Sequence, residues 1–135
     1  MIVLDCSAAI EMAKGTELGQ AFRAAVLEDE QVASVGLLRY ELVSVARKGV
    51  LRGEMTVAQA DAFVEQSLRI VDTFFPAQDL QVEVLHESVR LQHSSYDMFY
   101  FVLARRLGAT VFTTDRKLFD LCLAHGVSAV CDVAL

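Results

Sequence analysis

Met1-Ile2-Val3-Leu4-Asp5-Cys6-Ser7-Ala8-Ala9-Ile10 opens the chain with a short apolar run, an acid, and then residues of helical composition. The pattern reads as a buried strand that turns into a helix at Asp5, the opening of an α/β unit. Outward from it, Gly15 interrupts the first helix. Leu18, Phe22 and Val26 then stand at helical spacing within Glu17 to Leu27, and a short strand comes next at Val32 to Val35. Leu37 to Lys48 reads as a helix whose end is punctuated by Gly49 and Gly53.

Thr56 is placed to cap a helix carrying Val57, Ala60, Phe63, Val64 and Leu68, and Ile70 to Phe75 before the single proline, Pro76, suits a strand. Leu80 to Leu91 is expected to be helical, with Val84, Leu85, Val89 and Leu91 as its apolar face. Ser94-Ser95 cap a helix from Tyr96 to Leu107 that Gly108 ends. A strand at Val111 to Thr113, a helix at Arg116 to His125 and a last strand at Ala129 to Cys131 complete the chain. Strands separated by helices imply a parallel sheet with right-handed crossovers and helices on both faces, here as one domain over residues 1–135.

The composition narrows the class. With 135 residues and 54% apolar content, the chain can bury a core without disulfides. Its apolar residues come in short runs, none near the roughly 18 residues of a membrane span. With no basic leader and an acid inside the first apolar run, a soluble, cytoplasmic protein is expected. Cys6, Cys122 and Cys131 form no C-x-x-C pair and are expected to be reduced core residues rather than bridges, zinc ligands or nucleophiles. A net charge of −6 excludes nucleic-acid binding by bulk electrostatics, so any such work is local. Basic residues cluster at Arg39, Arg47, Lys48 and Arg52, and at Arg105, Arg106, Arg116 and Lys117. These are solvated helix ends by default and phosphate contacts in the alternative, with Arg39, Arg116 and Lys117 the candidates.

In a parallel sheet, acids at the carboxyl ends of strands share one edge, where the functional crevice lies. Asp5 ends the first strand and Asp115 ends the strand from Val111, Asp97 falls in the first turn of a helix, and Glu41 sits in a helix beside core-forming neighbours. Singly, the aspartates could be helix caps worth about 0.3 to 1 kcal/mol each. Together, carboxylates that converge repel by about 4 kcal/mol per close pair, which no structural role rewards without a cation. Hard oxygen ligands of this kind suit Mg²⁺ or Mn²⁺.

Ile2-Val3-Leu4-Asp5-Cys6-Ser7-Ala8, Tyr40-Glu41-Leu42, Ser95-Tyr96-Asp97-Met98-Phe99-Tyr100 and Thr113-Thr114-Asp115-Arg116-Lys117-Leu118, in that order over nearly the whole chain, resemble a PIN domain. More narrowly, they resemble the VapC-like ribonuclease toxins of toxin–antitoxin operons. The resemblance implies a three-layer α/β/α fold with a parallel sheet of order 3-2-1-4-5. Asp5, Glu41, Asp97 and Asp115 become ligands of Mg²⁺ or Mn²⁺ and catalytic acids, with Ser7 and Thr113 as supporting hydroxyls. The same resemblance implies an RNA substrate, a homodimer and a cognate antitoxin with a segment that covers the active-site groove. Two departures stand out: Arg116 and Lys117 replace a further acid found after the Asp115 equivalent in some relatives, the next acid being Asp120, and Met98-Phe99 replaces smaller residues.

The chemistry so implied needs no histidine. His86, His93 and His125 lack ligand-like spacing, and only His93, just before Ser94-Ser95-Tyr96-Asp97, stands near the groove. Tyr96 and Tyr100 are expected to serve helix packing, with base stacking the alternative. Phe99, Val102 and Leu103 are expected in the core, and Phe22 or Phe63 are candidates for an exposed partner surface. Rival readings are an aspartyl-phosphate phosphatase, disfavoured because Ser7 stands where a second acid is wanted, and a PIN-fold binding module without turnover.

Overall fold

The computed structural model describes residues 1–132. Strands β1 (Ile2–Leu4), β2 (Val32–Val35), β3 (Thr73–Phe75), β4 (Thr110–Phe112) and β5 (Ala129–Val130) form a parallel sheet of order β3-β2-β1-β4-β5. The helices are α1 (Cys6–Lys14), α2 (Glu17–Ala25), α3 (Leu37–Leu51), α4 (Val57–Arg69), α5 (Gln81–Leu91), α6 (Ser95–Leu107) and α7 (Arg116–Ala124), with a 3-10 turn at Ala77–Asp79. The expected three layers and strand order are what the chain adopts.

Alternation along the strands builds two cores. Val3, Val35 and Val111 face one side, where Val84 of α5, Met98, Phe101 and Val102 of α6 and Leu118 of α7 cover them. Ile2, Leu4, Val32 and Phe112 face the other, under Ala8 and Met12 of α1, Phe22 of α2, Leu38 and Leu42 of α3 and Phe63 of α4. The middle strand β1 is thus buried on both faces, the reason its sequence is uniformly aliphatic.

Several expectations shift. Gly49 lies inside α3 rather than at its end, with the flexible Met55 side chain packed over it: a Cβ there would come 2.9 Å from Met55 Cε. Gly53, at φ 73°, makes the turn after the helix. The strand expected over Ile70–Phe75 shortens to β3, because Ile70 still caps α4 and Val71 donates to the Leu68 carbonyl. Asp115 does not end a strand; it stands beyond β4, as the N-cap of α7. Phe22 and Phe63 are buried, and Leu85 and Val89, expected on the inner face of α5, are exposed. Among the described residues no helix is long and apolar enough to cross a membrane, and the three cysteines are free thiols.

Candidate active site

Parallel strands bring the carboxyl ends of β1 and β4 side by side, and hydroxyls tie together the segments that leave them. Asp5, the N-cap of α1, accepts from the Ala8 N–H at 2.9 Å and from Ser7 Oγ at 2.7 Å, both on Oδ1. Ser7 Oγ in turn accepts from the Thr114 N–H at 2.9 Å and lies 3.3 Å from Thr113 Oγ1. The buried Thr113 hydroxyl accepts from the Asp115 N–H at 3.0 Å, and Asp115 Oδ1 accepts from the Lys117 N–H at 2.9 Å. Both aspartates are therefore helix caps, and both also stand at the carboxyl edge of the sheet. Ser7 and Thr113 stitch the two caps together across a separation of 106 residues.

The other two acids come from the helical layers. Asp97 lies in the first turn of α6, where an anion is favoured. Its Oδ2 is 3.1 Å from His93 Nε2. Gln92, at φ 51°, turns the chain out of α5 just before that histidine. Glu41, in α3, accepts on Oε1 from the phenol of Tyr100. That contact joins helices on opposite faces of the sheet.

The charges of these acids are felt mutually. Burial, at 5% exposure, pushes the Asp5 carboxyl up to about 6, helped by the charge of Asp97 and opposed by hydrogen bonds from Thr113, Ala8 and Ser7. Burial also raises Glu41, against the Tyr100 hydrogen bond and with Asp97 adding repulsion. Asp97 is raised by burial and by the Asp115 carboxyl, against the hydrogen bond from His93. The Asp97 charge thus acts on Asp5 and Glu41, and the Asp115 charge acts on Asp97. Among the described residues no three His, Cys, Asp or Glu side chains close into a metal cage. An open set of carboxylates still fits Mg²⁺ or Mn²⁺, which keep several waters and take few protein ligands directly.

Around this centre, Arg116 and Lys117 start α7 next to Asp115 and are exposed. The Arg116 guanidinium lies 5.1 Å from the Phe119 ring centre, and that of Arg39 lies 4.3 Å from that of Phe74. Arg105 and Arg106 are instead committed to α5, with Arg105 2.6 Å from Glu83 and 3.1 Å from Glu87, and Arg106 2.7 Å from Glu83. Tyr96 is exposed, whereas Tyr100 is enclosed and cannot stack on a base. Burial and the charges of Glu41 and Asp5 push the Cys6 thiol up to about 12, which disfavours the thiolate. His86 and His125 are exposed, while His93 reaches the site. In the sequence Tyr100 reads as a packing residue or, in the alternative, a base-stacking one; its spacing of three from Asp97 signals that it shares that acid's face.

A family model described as the PIN domain matches residues 2–122. The chain belongs to the PIN-domain family. PIN domains are generally nucleases and typically use divalent metal ions. Among solved structures, this PIN domain is similar to PAE2754 from Pyrobaculum aerophilum, with a TM-score of 0.71 at 24% identity over 88% of this chain and 77% of that one. It is also similar to a structure of VapBC-1 from nontypeable Haemophilus influenzae, with a TM-score of 0.67 at 18% identity over 96% and 97% of the two chains. At these identities the likeness is one of fold. None of the curated proteins compared matches the chain.

Proposed function

We propose that this PIN domain is a Mg²⁺- or Mn²⁺-dependent endoribonuclease, the toxin of a toxin–antitoxin pair, acting in the cytoplasm. The observation that carries the reading is that Asp5 and Asp115, the caps joined through Ser7 and Thr113 at the carboxyl ends of β1 and β4, share that edge with Asp97, whose charge acts on Asp5 and Glu41. A bound Mg²⁺ or Mn²⁺ supplies Lewis acidity toward a phosphate oxygen and makes water nucleophilic near neutral pH. Asp5, Asp97, Asp115 and Glu41 would hold that ion, directly or through its bound waters. Ser7 holds the Asp5 carboxylate, and Thr113 holds the backbone at Asp115. Lys117, Arg116 and Arg39 take the flanking phosphates, giving a local basic grip on a chain that is acidic overall. Hydrolysis so arranged leaves a 5′-phosphate and a 3′-hydroxyl.

Two apolar surfaces support two protein partners. Between α3 and α4 lies a groove of about 520 Å³ lined by Val43, Val50, Leu51, Val57, Val64 and Leu68, with Arg47 and Asp61 on its walls. We assign it to an amphipathic segment of the antitoxin, because a concave apolar groove with both charge signs on its walls suits the helix-in-groove mode. The name VapBC-1 of the similar structure is consistent with such a partner. Val82, Leu85 and Val89 form an exposed row on α5, at helical spacing. A convex row of this kind can lie against its own two-fold copy, so we assign it to a homodimer.

Purified, partner-free protein is expected to cut total cellular RNA in Mg²⁺ or Mn²⁺, leaving 5′-phosphate ends. Cutting should be abolished by EDTA and reduced at least a hundredfold in Asp97→Asn. Metal binding without cleavage would support a binding module instead; cyclic phosphate ends or EDTA-resistant cutting would exclude the metal-dependent route.

A further inference from the structure

Tyr100 heads the fully buried side chains in size, 1% exposed, in a core cluster of mostly hydrocarbon side chains. A phenol there is less favourable than phenylalanine unless its hydroxyl is bonded. The hydroxyl donates to Glu41 Oε1. Glu41 needs such a partner more than the other acids do. Asp5 and Asp115 are short side chains held by backbone N–H groups at helix caps, and Asp97 is held by a histidine four residues away. Glu41 is longer, has more rotamers to lose, and sits within α3, whose backbone N–H groups are spent on the helix itself. Tyr100 comes three residues after Asp97 on α6, so both occupy one helix face.

We propose that Tyr100 is a positioning residue of the acid cluster. Its phenol holds Glu41 toward Asp97, so α6 supplies one metal ligand directly and aims a second one carried by the opposite layer. This rests on the metal-dependent reading above. A phenylalanine would fill the same core space and leave Glu41 free to turn toward solvent.

The test is Mn²⁺ affinity, measured by calorimetry on metal-free protein, for the wild type, Tyr100→Phe, Glu41→Gln and the double variant. Tyr100→Phe is expected to melt cooperatively, to bind Mn²⁺ about tenfold more weakly, and to lose kcat more than KM. In the Glu41→Gln background the same change is expected to have no further effect on affinity. Affinity of Tyr100→Phe within about twofold of wild type overturns the proposal, and so does an equal loss in both backgrounds, which would mean that the phenol acts through packing alone. If Tyr100→Phe does not fold, the Tyr100 hydroxyl resonance of the wild-type protein reads the contact. A shift in Glu41→Gln supports the proposal and an unchanged resonance overturns it. A wild type that binds no Mn²⁺ overturns the metal reading itself, an outcome distinct from equal binding by wild type and Tyr100→Phe.

Discussion

Asp5 shows most plainly what the site costs the fold. Its carboxyl is held up to about 6 against an ordinary 3.8, so between those values the folded chain keeps a proton that the unfolded chain has released. Stability therefore falls as pH rises through that window, the reverse of the usual salt-bridged aspartate. That difference corresponds to a penalty of about 3 kcal/mol at neutral pH in the metal-free protein. Asp5→Asn keeps a good N-cap residue and removes the charge. Urea unfolding in EDTA is expected to show the wild type losing stability relative to Asp5→Asn between pH 4 and 7, by about that amount. Parallel pH profiles would mean that Asp5 carries no such strain.

At the scale of elements, α6 is the part on which the site depends. It packs against β1, β2, β4, α5 and α7, and it carries Asp97 and Tyr100 on one face. The helices on the opposite layer are set by a closer fit. A Cβ on Gly19 of α2 would fall 1.9 Å from the Glu11 carbonyl oxygen and 2.8 Å from the Met12 nitrogen of α1. Both are backbone atoms, so nothing short of moving a helix relieves the clash. Gly19→Ala is expected to destabilise the protein by about 3 kcal/mol, roughly a 10 °C drop in Tm. A melting temperature within about 2 °C of wild type would show that α1 and α2 can part freely.

For the whole molecule, the strand order matters most. Placing β1 between β2 and β4 puts Asp5 beside the chain leaving β4, and the helices after β2 and before β4 then deliver Glu41 and Asp97 to the same edge. The surfaces left over are the α3–α4 groove and the α5 row. If the row is the dimer face, Leu85→Glu introduces a charge there and a like-charge clash across the two-fold. Size-exclusion chromatography with light scattering is expected to find a dimeric wild type and a monomeric, folded Leu85→Glu. A variant that remains dimeric would move the interface elsewhere.

Local chemistry carried a large part of this in the sequence itself. An uninterrupted aliphatic run marks a strand buried on both faces, as Ile2–Leu4 proves to be. Thr56 starts its helix and Gly108 ends another through backbone geometry that single residue types favour. The order of Asp5, Glu41, Asp97 and Asp115, with their neighbours, was enough to suggest one cluster. Periodicity states which side chains share a helix face, not which face finds a neighbour. Phe22 and Phe63 therefore proved buried, and Leu85 and Val89 proved exposed, only once the layers were assembled. The same limit hid the partner of Glu41: Tyr100 is 59 residues away and on the other side of the sheet. A hydrogen bond across that distance is decided by how two layers meet at an edge, which no local pattern along the chain encodes.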